Sequence, residues 1–531
     1  MIFNPPGLAQ IKATTQICFI TVLIKPENSS IGEKMCPEFE KKAVGRGAAY
    51  IYIEGITSLI SGYIFWLVVS KVTTSEIIGT SSTLITFATI IGVIAGMGIH
   101  TGIQRFIGKS FSEKNIQEAK NFVITSLLLL GIGIFTCSII ILSAQNWIHN
   151  SFGFDSVLMM IAILLITSYN SMMLFRSVVI SSLKTQSLPI IFITSSVAKL
   201  IITVLLLITG TGVVGLTLGF MLHYVLSSVL LGIVLSVSVF KQARNTNPLQ
   251  SFIVNSKKIL PASVVNWIPW LITIVGSQLG IIVVFGAQGA NQAGVYFLAL
   301  TIVTGITTIM NSLFTIALPA LSSLRDNRKR IAWQAIRLST IIILPFSCSL
   351  IFYSNDVMRL FGGEYVDGAI SLAILLLSIL PLCIISGITT LLNSYGYYRH
   401  VLILGLAISV PQTILYFTLV PQYETTGAAL GYTIGCIVGC IVSLLQAKKI
   451  GLHLLWKELG IVLIVPISIG YILSSLQLNY VLGILGTIIL SYILLISVRI
   501  VTTKDIIDFL DIMPDKISNP VTKLLTKYKK Y

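Results

Sequence analysis

The sequence predicts an all-α integral membrane protein: fourteen transmembrane helices, two six-helix lobes in parallel pseudo-repeat, then two C-terminal helices. Three observations lead to that class. Apolar runs of about 18 to 25 residues recur along nearly the whole chain, the length a helix needs to cross the hydrocarbon core. Hydrophobic residues fill 55% of the 531 positions and charged ones only 10%, which leaves no polar stretch long enough to fold as a separate soluble domain. The third observation is a duplication. Phe135-Thr136-Cys137-Ser138-Ile139-Ile140 reappears as Phe346-Ser347-Cys348-Ser349-Leu350-Ile351, and Ala162-Ile163-Leu164-Leu165 as Ala373-Ile374-Leu375-Leu376, at an offset of about 211 residues. Gly215-Leu216-Thr217-Leu218-Gly219-Phe220 matches Gly427-Ala428-Ala429-Leu430-Gly431-Tyr432, and Gly79 falls opposite Gly294.

The apolar runs place the spans in order. An N-terminal segment, 1–46, precedes the first lobe, 47–240, whose spans are expected at 48–70, 79–101, 121–144, 157–181, 188–209 and 213–239. The second lobe, 241–447, holds spans at 260–285, 293–318, 336–355, 368–392, 399–419 and 426–447. Residues 448–501 supply two more, 459–476 and 480–501, with no partner in the duplication, and 502–531 form a basic tail. Pro345, Pro381 and Pro411 interrupt spans of the second lobe, where each frees a backbone carbonyl and permits a bend.

Charge sets the orientation, because lysine and arginine in short loops stay on the cytoplasmic side. One set of loops holds Arg105, Lys109, Lys114 and Lys120; Lys184; Lys241, Arg244, Lys257 and Lys258; Arg325, Arg328, Lys329 and Arg330; Arg399; and Lys448, Lys449 and Lys457. The alternate loops hold little beyond Lys71 and Arg359. Both termini are therefore expected in the cytoplasm of a multi-pass cell-membrane protein. An even number of spans per lobe gives the lobes one orientation, with a pseudo-symmetry axis along the membrane normal. The net charge of +16, from 35 basic and 19 acidic residues, reads as contact with anionic lipid and not with nucleic acid.

Ile17–Ile24 is too short to span, and no small-residue cleavage site follows it. Met35-Cys36-Pro37 makes a more natural start, so residues 1–34 are expected to be dispensable or a mis-assigned start, a point that mass spectrometry of the native N-terminus settles. Near the other end Ile506, Ile507, Phe509, Leu510 and Met513 alternate with Asp505, Asp508 and Asp511, the pattern of a helix lying on the inner leaflet. Cys137, Cys348, Cys383, Cys436 and Cys440 lie in apolar runs without metal-ligand spacing and read as small packing residues.

Ionisable groups deep in hydrocarbon are costly unless they face a wet cavity or a partner, so the few present carry the functional reading. Lys199 lies about twelve residues into the fifth span, near the midplane at ~1.5 Å per residue. Ser195, Ser196 and Thr203 surround it at helical spacing, which makes cavity lining one reading and a lysine satisfied by hydroxyls and carbonyls the other. Arg176 sits about two turns inside the cytoplasmic end of the fourth span, with Tyr169, Met173 and Ile180 on its face. It can snorkel to the headgroups or grip an anion bidentately, as lysine cannot. Glu54, the acidic residue clearly inside a span, is at matching depth, so a Glu54–Arg176 pair is geometrically available and lowers the cost of both charges. Asn170, His223, Asn266, Gln278 and Asn311 are the neutral polar groups within spans. Interhelical hydrogen bonding is their default use, with cavity lining the alternative. Trp267 and Trp270 suit interfacial anchoring.

The connector Ser75-Glu76-Ile77-Ile78-Gly79, the cytoplasmic Gln104-Arg105-Phe106-Ile107, and Val357-Met358-Arg359-Leu360-Phe361-Gly362-Gly363-Glu364-Tyr365 carry a resemblance. Taken with the span pattern over about residues 44–501, they resemble the polysaccharide-biosynthesis flippases of the multidrug/oligosaccharidyl-lipid/polysaccharide exporter superfamily. That resemblance implies a monomeric transporter, without cofactor or metal, that flips an isoprenoid-phosphate-linked glycan outward by alternating access between two lobes. Under it Lys199 and Arg176 attract the substrate's phosphates, Glu54 either pairs with Arg176 or couples transport to a proton or sodium ion, and Asn170, His223, Asn266 and Asn311 join them as candidates for the cavity wall. Many relatives carry an acidic residue in the middle of the seventh span, where this chain reads Ser277-Gln278-Leu279-Gly280; that departure weakens sodium coupling there and the runner-up reading of a cation-coupled multidrug exporter. A membrane glycan polymerase or ligase fits poorly, because the external loops are short and hold no nucleotide, metalloprotease or nucleophile-elbow motif.

Overall fold

A computed structural model describes residues 38–113, 115–241, 248–323, 328–498 and 500. The expected start near Met35 and the amphipathic tail at 505–513 lie outside them. Among the described residues every regular element is helical and no strand occurs. Eleven helices among these residues are long and apolar enough to cross a bilayer, or twelve when the bent pair Gly363–Leu376 and Ile379–Tyr395 is taken as one. The chain is a multi-pass membrane protein.

The first half of the chain runs α1 (Glu38–Val72), α2 (Ser75–Gly96), α3 (Ile99–Ser112), α4 (Ile116–Ser143), the short α5 (Gln145–Phe152), α6 (Ser156–Ser181), α7 (Leu188–Ile208) and α8 (Gly212–Val234). The span expected at 79–101 is divided, because Met97 and Gly98 both take left-handed backbone (φ 43° and 66°) and end α2 before α3 begins. Polar caps fix two other starts: the side chains of Asn115 and Asp155 accept the backbone N–H of Glu118 and Leu158 at 3.1 and 2.9 Å.

In the second half α9 (Pro248–Ser323) leads to α10 (Arg328–Phe352), the short α11 (Ser354–Arg359), α12 (Ala369–Leu376), α13 (Ile379–Tyr395) and α14 (Tyr398–Lys449), and then to α15 (Trp456–Ser475) and α16 (Tyr480–Ser497). The order long helix, short helix, connecting segment and span thus recurs in α4–α5–α6 and in α10–α11–α12/α13. At 76 residues α9 would be about 114 Å long if straight, several times the hydrocarbon core. Gly289 (φ 86°) breaks it, and Glu424 (φ 50°) breaks the 52-residue α14. The breaks support each other. Gln288 Nε2 donates to the carbonyls of Val420 and Pro421 at 3.1 and 3.4 Å, satisfying acceptors that the interrupted helix leaves open.

Close backbone packing folds these elements into hairpins. Gly427, Gly431, Gly435 and Gly439 recur every four residues along one face of α14 and lie against Leu419, Leu415, Gln412 and Ile408 of the same helix before its break. Added Cβ atoms would collide there, so the glycines set the helix separation. Gly215 and Gly219 do the same for α8 against Leu206 and Thr203 of α7. These are the glycines of the sequence repeat, and in both copies they perform one task. Helices α12 and α13 bend by 41° at a break two residues ahead of Pro381. The cysteines at 348, 383, 436 and 440 are buried and unpaired, as packing residues are.

Candidate functional site

Helix α1 carries two of the side chains around which the site is built. Midway along it, at the start of the apolar stretch Ile53–Val72, Glu54 is buried, 4% exposed, and takes a bidentate grip from α6: Arg176 Nε donates to Oε1 at 2.7 Å and a terminal guanidinium nitrogen to Oε2 at 2.9 Å. The fork geometry uses both carboxylate oxygens and leaves Arg176 a second edge of N–H donors. Its side chain keeps 29% of its exposure. Gln104 of α3 donates to Ser177 at 3.1 Å, tying α3 to α6 one residue beyond Arg176.

Three turns farther along α1, about 16 Å at the helical rise, lies Phe65. Its ring faces the Lys199 ammonium of α7, with Nζ 4.2 Å from the ring centroid, and Phe220 of α8 presents a second ring at 4.9 Å. Lys199 is 6% exposed and has no hydrogen-bond acceptor and no carboxylate among the described residues. The ammonium is held by ring quadrupoles instead. The hydroxyls expected to satisfy it serve the helices: Thr203 donates to the Lys199 carbonyl, Ser195 to that of Ile191, Ser227 to Ser195, and Ser61 of α1 to Ser196 of α7. Trp66 extends the aromatic wall to α9, edge-on to Phe297 at 4.7 Å.

The remaining sequence candidates are spread out. Asn170 is buried and donates to the carbonyls of Gly92 and Ile166, joining α6 to α2. His223 packs edge-on against Phe192 and Tyr224, one turn from Phe220. Tyr224, edge-on to Phe220, also lines a small cleft with Tyr169, Ile85, Ala88, Thr89 and Leu165. Asn311 is exposed on α9 and accepts from Ser386 of α13 at 3.4 Å. Asn266 lies on α9, its side chain outside the described set. Trp267, expected as an interfacial anchor, donates its Nε1 to the Val93 carbonyl at 2.8 Å and so joins α9 to α2. The cage rings, Phe65 and Phe220, escaped the sequence reading because a buried phenylalanine gives no signal that separates it from ordinary core.

A family model described as polysaccharide biosynthesis protein matches residues 76–392, more than half of the chain. The chain belongs to that family. Solved structures extend the likeness in fold. A lipid II flippase MurJ in an inward closed conformation superposes with a TM-score of 0.66 at 17% identity, covering 85% of this chain and 98% of that one. An inward-facing multidrug resistance MATE family transporter of the MOP superfamily superposes with a TM-score of 0.57 at 19% identity, covering 77% and 97%. No curated protein sequence matches the chain.

Proposed function

We propose that this member of the polysaccharide biosynthesis family flips an isoprenoid-(di)phosphate-linked oligosaccharide or polysaccharide precursor from the cytoplasmic to the outer leaflet by alternating access. The observation that carries the reading is Lys199, a buried ammonium faced by rings and by no carboxylate. An unneutralised cation inside an apolar bundle is an anion site waiting for its partner, and a lipid-linked phosphate is the anion a polysaccharide pathway presents to a membrane. Arg176, three turns nearer the basic loops, has one guanidinium edge committed to Glu54 and another open for phosphate. A substrate entering from the basic-loop side would meet Arg176 first and Lys199 second. Two cations suffice, since a site that bound more tightly could not release outward.

The architecture in this reading counts fourteen spans, with α9 and α14 each crossing twice about Gly289 and Glu424, and groups them as two six-helix lobes with α15 and α16 added. Both termini then lie in the cytoplasm, the chain works as a monomer, and Glu54 is placed to couple transport to a proton or sodium ion. The MATE likeness supports a second reading, a cation-coupled multidrug exporter. Organic cations would call for acidic lining, however, and Glu54, the one buried carboxylate among the described residues, is already neutralised by Arg176.

Reconstitution in vesicles with labelled lipid-linked oligosaccharide tests the proposal. Flipping is expected in the parent and lost in Lys199→Ala and Arg176→Ala, with folding checked by size-exclusion profile. Normal flipping in both variants overturns the site, and export of organic cations without glycan flipping overturns the function.

A further inference from the structure

Away from the basic loops, three sets of contacts besides the Trp66–Phe297 pair join the first half of the sequence to the second. In the first, Gly79 of α2 lies so close to the Ala290 carbonyl of α9 that no Cβ fits, and Gly294 lies equally close to the Ser75 carbonyl. Gly79 and Gly294 are counterparts in the duplication, and the same offset pairs Ser75 with Ala290. Each glycine therefore meets the counterpart of the other glycine's partner, the reciprocity of a two-fold contact. In the second, the segment after α5 crosses over by Phe152 and Phe154, whose rings lie 6.3 and 5.9 Å from Phe285.

The third is the counterpart segment after α11, and its chemistry differs. Phe361 packs edge-on to Tyr63 at 5.7 Å. Beyond it Glu364 receives two hydrogen bonds from the first residue of α2: the Ser75 backbone N–H donates to Oε1 at 3.1 Å and the Ser75 hydroxyl reaches Oε2 at 2.8 Å. Asn291 Oδ1 is also in hydrogen-bond contact with that hydroxyl. The residues at the duplication offset from Glu364 and Tyr365 are Gly153 and Phe154, so one crossing is aromatic and the other ends in a carboxylate. The N-cap residue of α2, Thr74, makes no side-chain cap, which leaves the Ser75 N–H to Glu364. A carboxylate at a helix N-terminus also meets the positive end of the helix dipole.

We propose that Glu364 is the releasable latch of this seam: a carboxylate from the second half that caps α2 of the first and holds this side of the transporter closed. The aromatic crossing cannot part without exposing apolar surface, whereas Glu364 is exposed and can exchange Ser75 for water. Opening is thereby made inexpensive at one point of a seam that is otherwise tightly packed.

Labelling by a maleimide in purified, detergent-solubilised protein tests the latch without reference to substrate or orientation. The reporter is Thr83→Cys, one turn beyond Gly79 on the same helix face and fully buried, in a chain whose seven native cysteines are alanine. Glu364→Ala is expected to raise the labelling rate about three- to tenfold, the range for one ordinary net hydrogen bond, and Glu364→Gln by less. Gly79→Ala, which must part the seam, gives the upper reference. Independently, a Ser75→Cys/Asn291→Cys pair should form its disulfide on mild oxidation severalfold more slowly when Glu364 is alanine. Rates within twofold of the parent's in both measurements overturn the proposal.

Discussion

Removing one member of the Glu54–Arg176 pair should cost much more from one side than from the other. Breaking a buried ion pair by truncating one partner typically costs about 3–5 kcal/mol, because the survivor is left charged in a poor solvent. The two survivors here differ, since the Glu54 side chain keeps 5% of its exposure and that of Arg176 29%. Arg176→Ala strands a carboxylate that cannot reach water, and about 3–5 kcal/mol is expected. Glu54→Ala strands a guanidinium whose free edge can extend to the headgroups, so about 1–2 kcal/mol is the expectation. Replacing both by apolar groups of similar volume, Glu54→Leu with Arg176→Met, should return the protein to within about 1–2 kcal/mol of the parent, because neither charge remains buried alone. Unfolding in mixed micelles by SDS titration, followed by tryptophan fluorescence, reads all four states. Equal costs for the single variants, or a double variant no more stable than Arg176→Ala, would refute the reasoning.

Three further expectations follow from the same geometry. Phe65→Leu should destabilise the parent by about 2 kcal/mol more than it destabilises a Lys199→Met background, the worth of a desolvated cation–π contact, and equal costs in the two backgrounds would show that the ring only packs. Glu54→Gln is expected to keep passive exchange of labelled substrate in vesicles and to lose any stimulation by an imposed proton gradient; stimulation equal to the parent's leaves Glu54 a structural partner of Arg176. Trp267→Phe keeps an aromatic ring but removes the indole N–H that bonds Val93 together with part of the packed ring, so a loss of at least about 1 kcal/mol on SDS titration is expected, and no loss would mean that the Val93 carbonyl finds another donor.

Much of this architecture was legible before any coordinates. Helix length against bilayer thickness and the excess of apolar residues suffice for an all-helical membrane chain, and the repeat carried more than pattern: Gly215 and Gly219, matched with Gly427 and Gly431, occupy equivalent close contacts in two hairpins. The matching depth of Glu54 and Arg176 on spans of opposite direction foretold a pair that the structure contains. Other features were hidden for physical reasons. The division at Met97 and Gly98 depends on two left-handed residues, only one of them glycine. The cage around Lys199 depends on rotamers and on the azimuth of three helices about their axes, and neither follows from hydropathy. Trp267 looked like an interfacial residue because its position along the span is near an end; its hydrogen bond to Val93 requires knowing which helix lies opposite.

The glycine ladder of α14 has a mechanical consequence. Two rods held at glycine separation along successive turns, with the side chains of Ile408, Gln412 and Tyr416 wedged tightly against the glycine face, have little room to re-pack, and the hairpin they form should travel as a stiff lever. Deformation during a transport cycle must then concentrate in its neighbours. The elbow between α12 and α13, bent by 41° just ahead of Pro381 and with α13 packed along that lever, is the natural place for the strain to be absorbed.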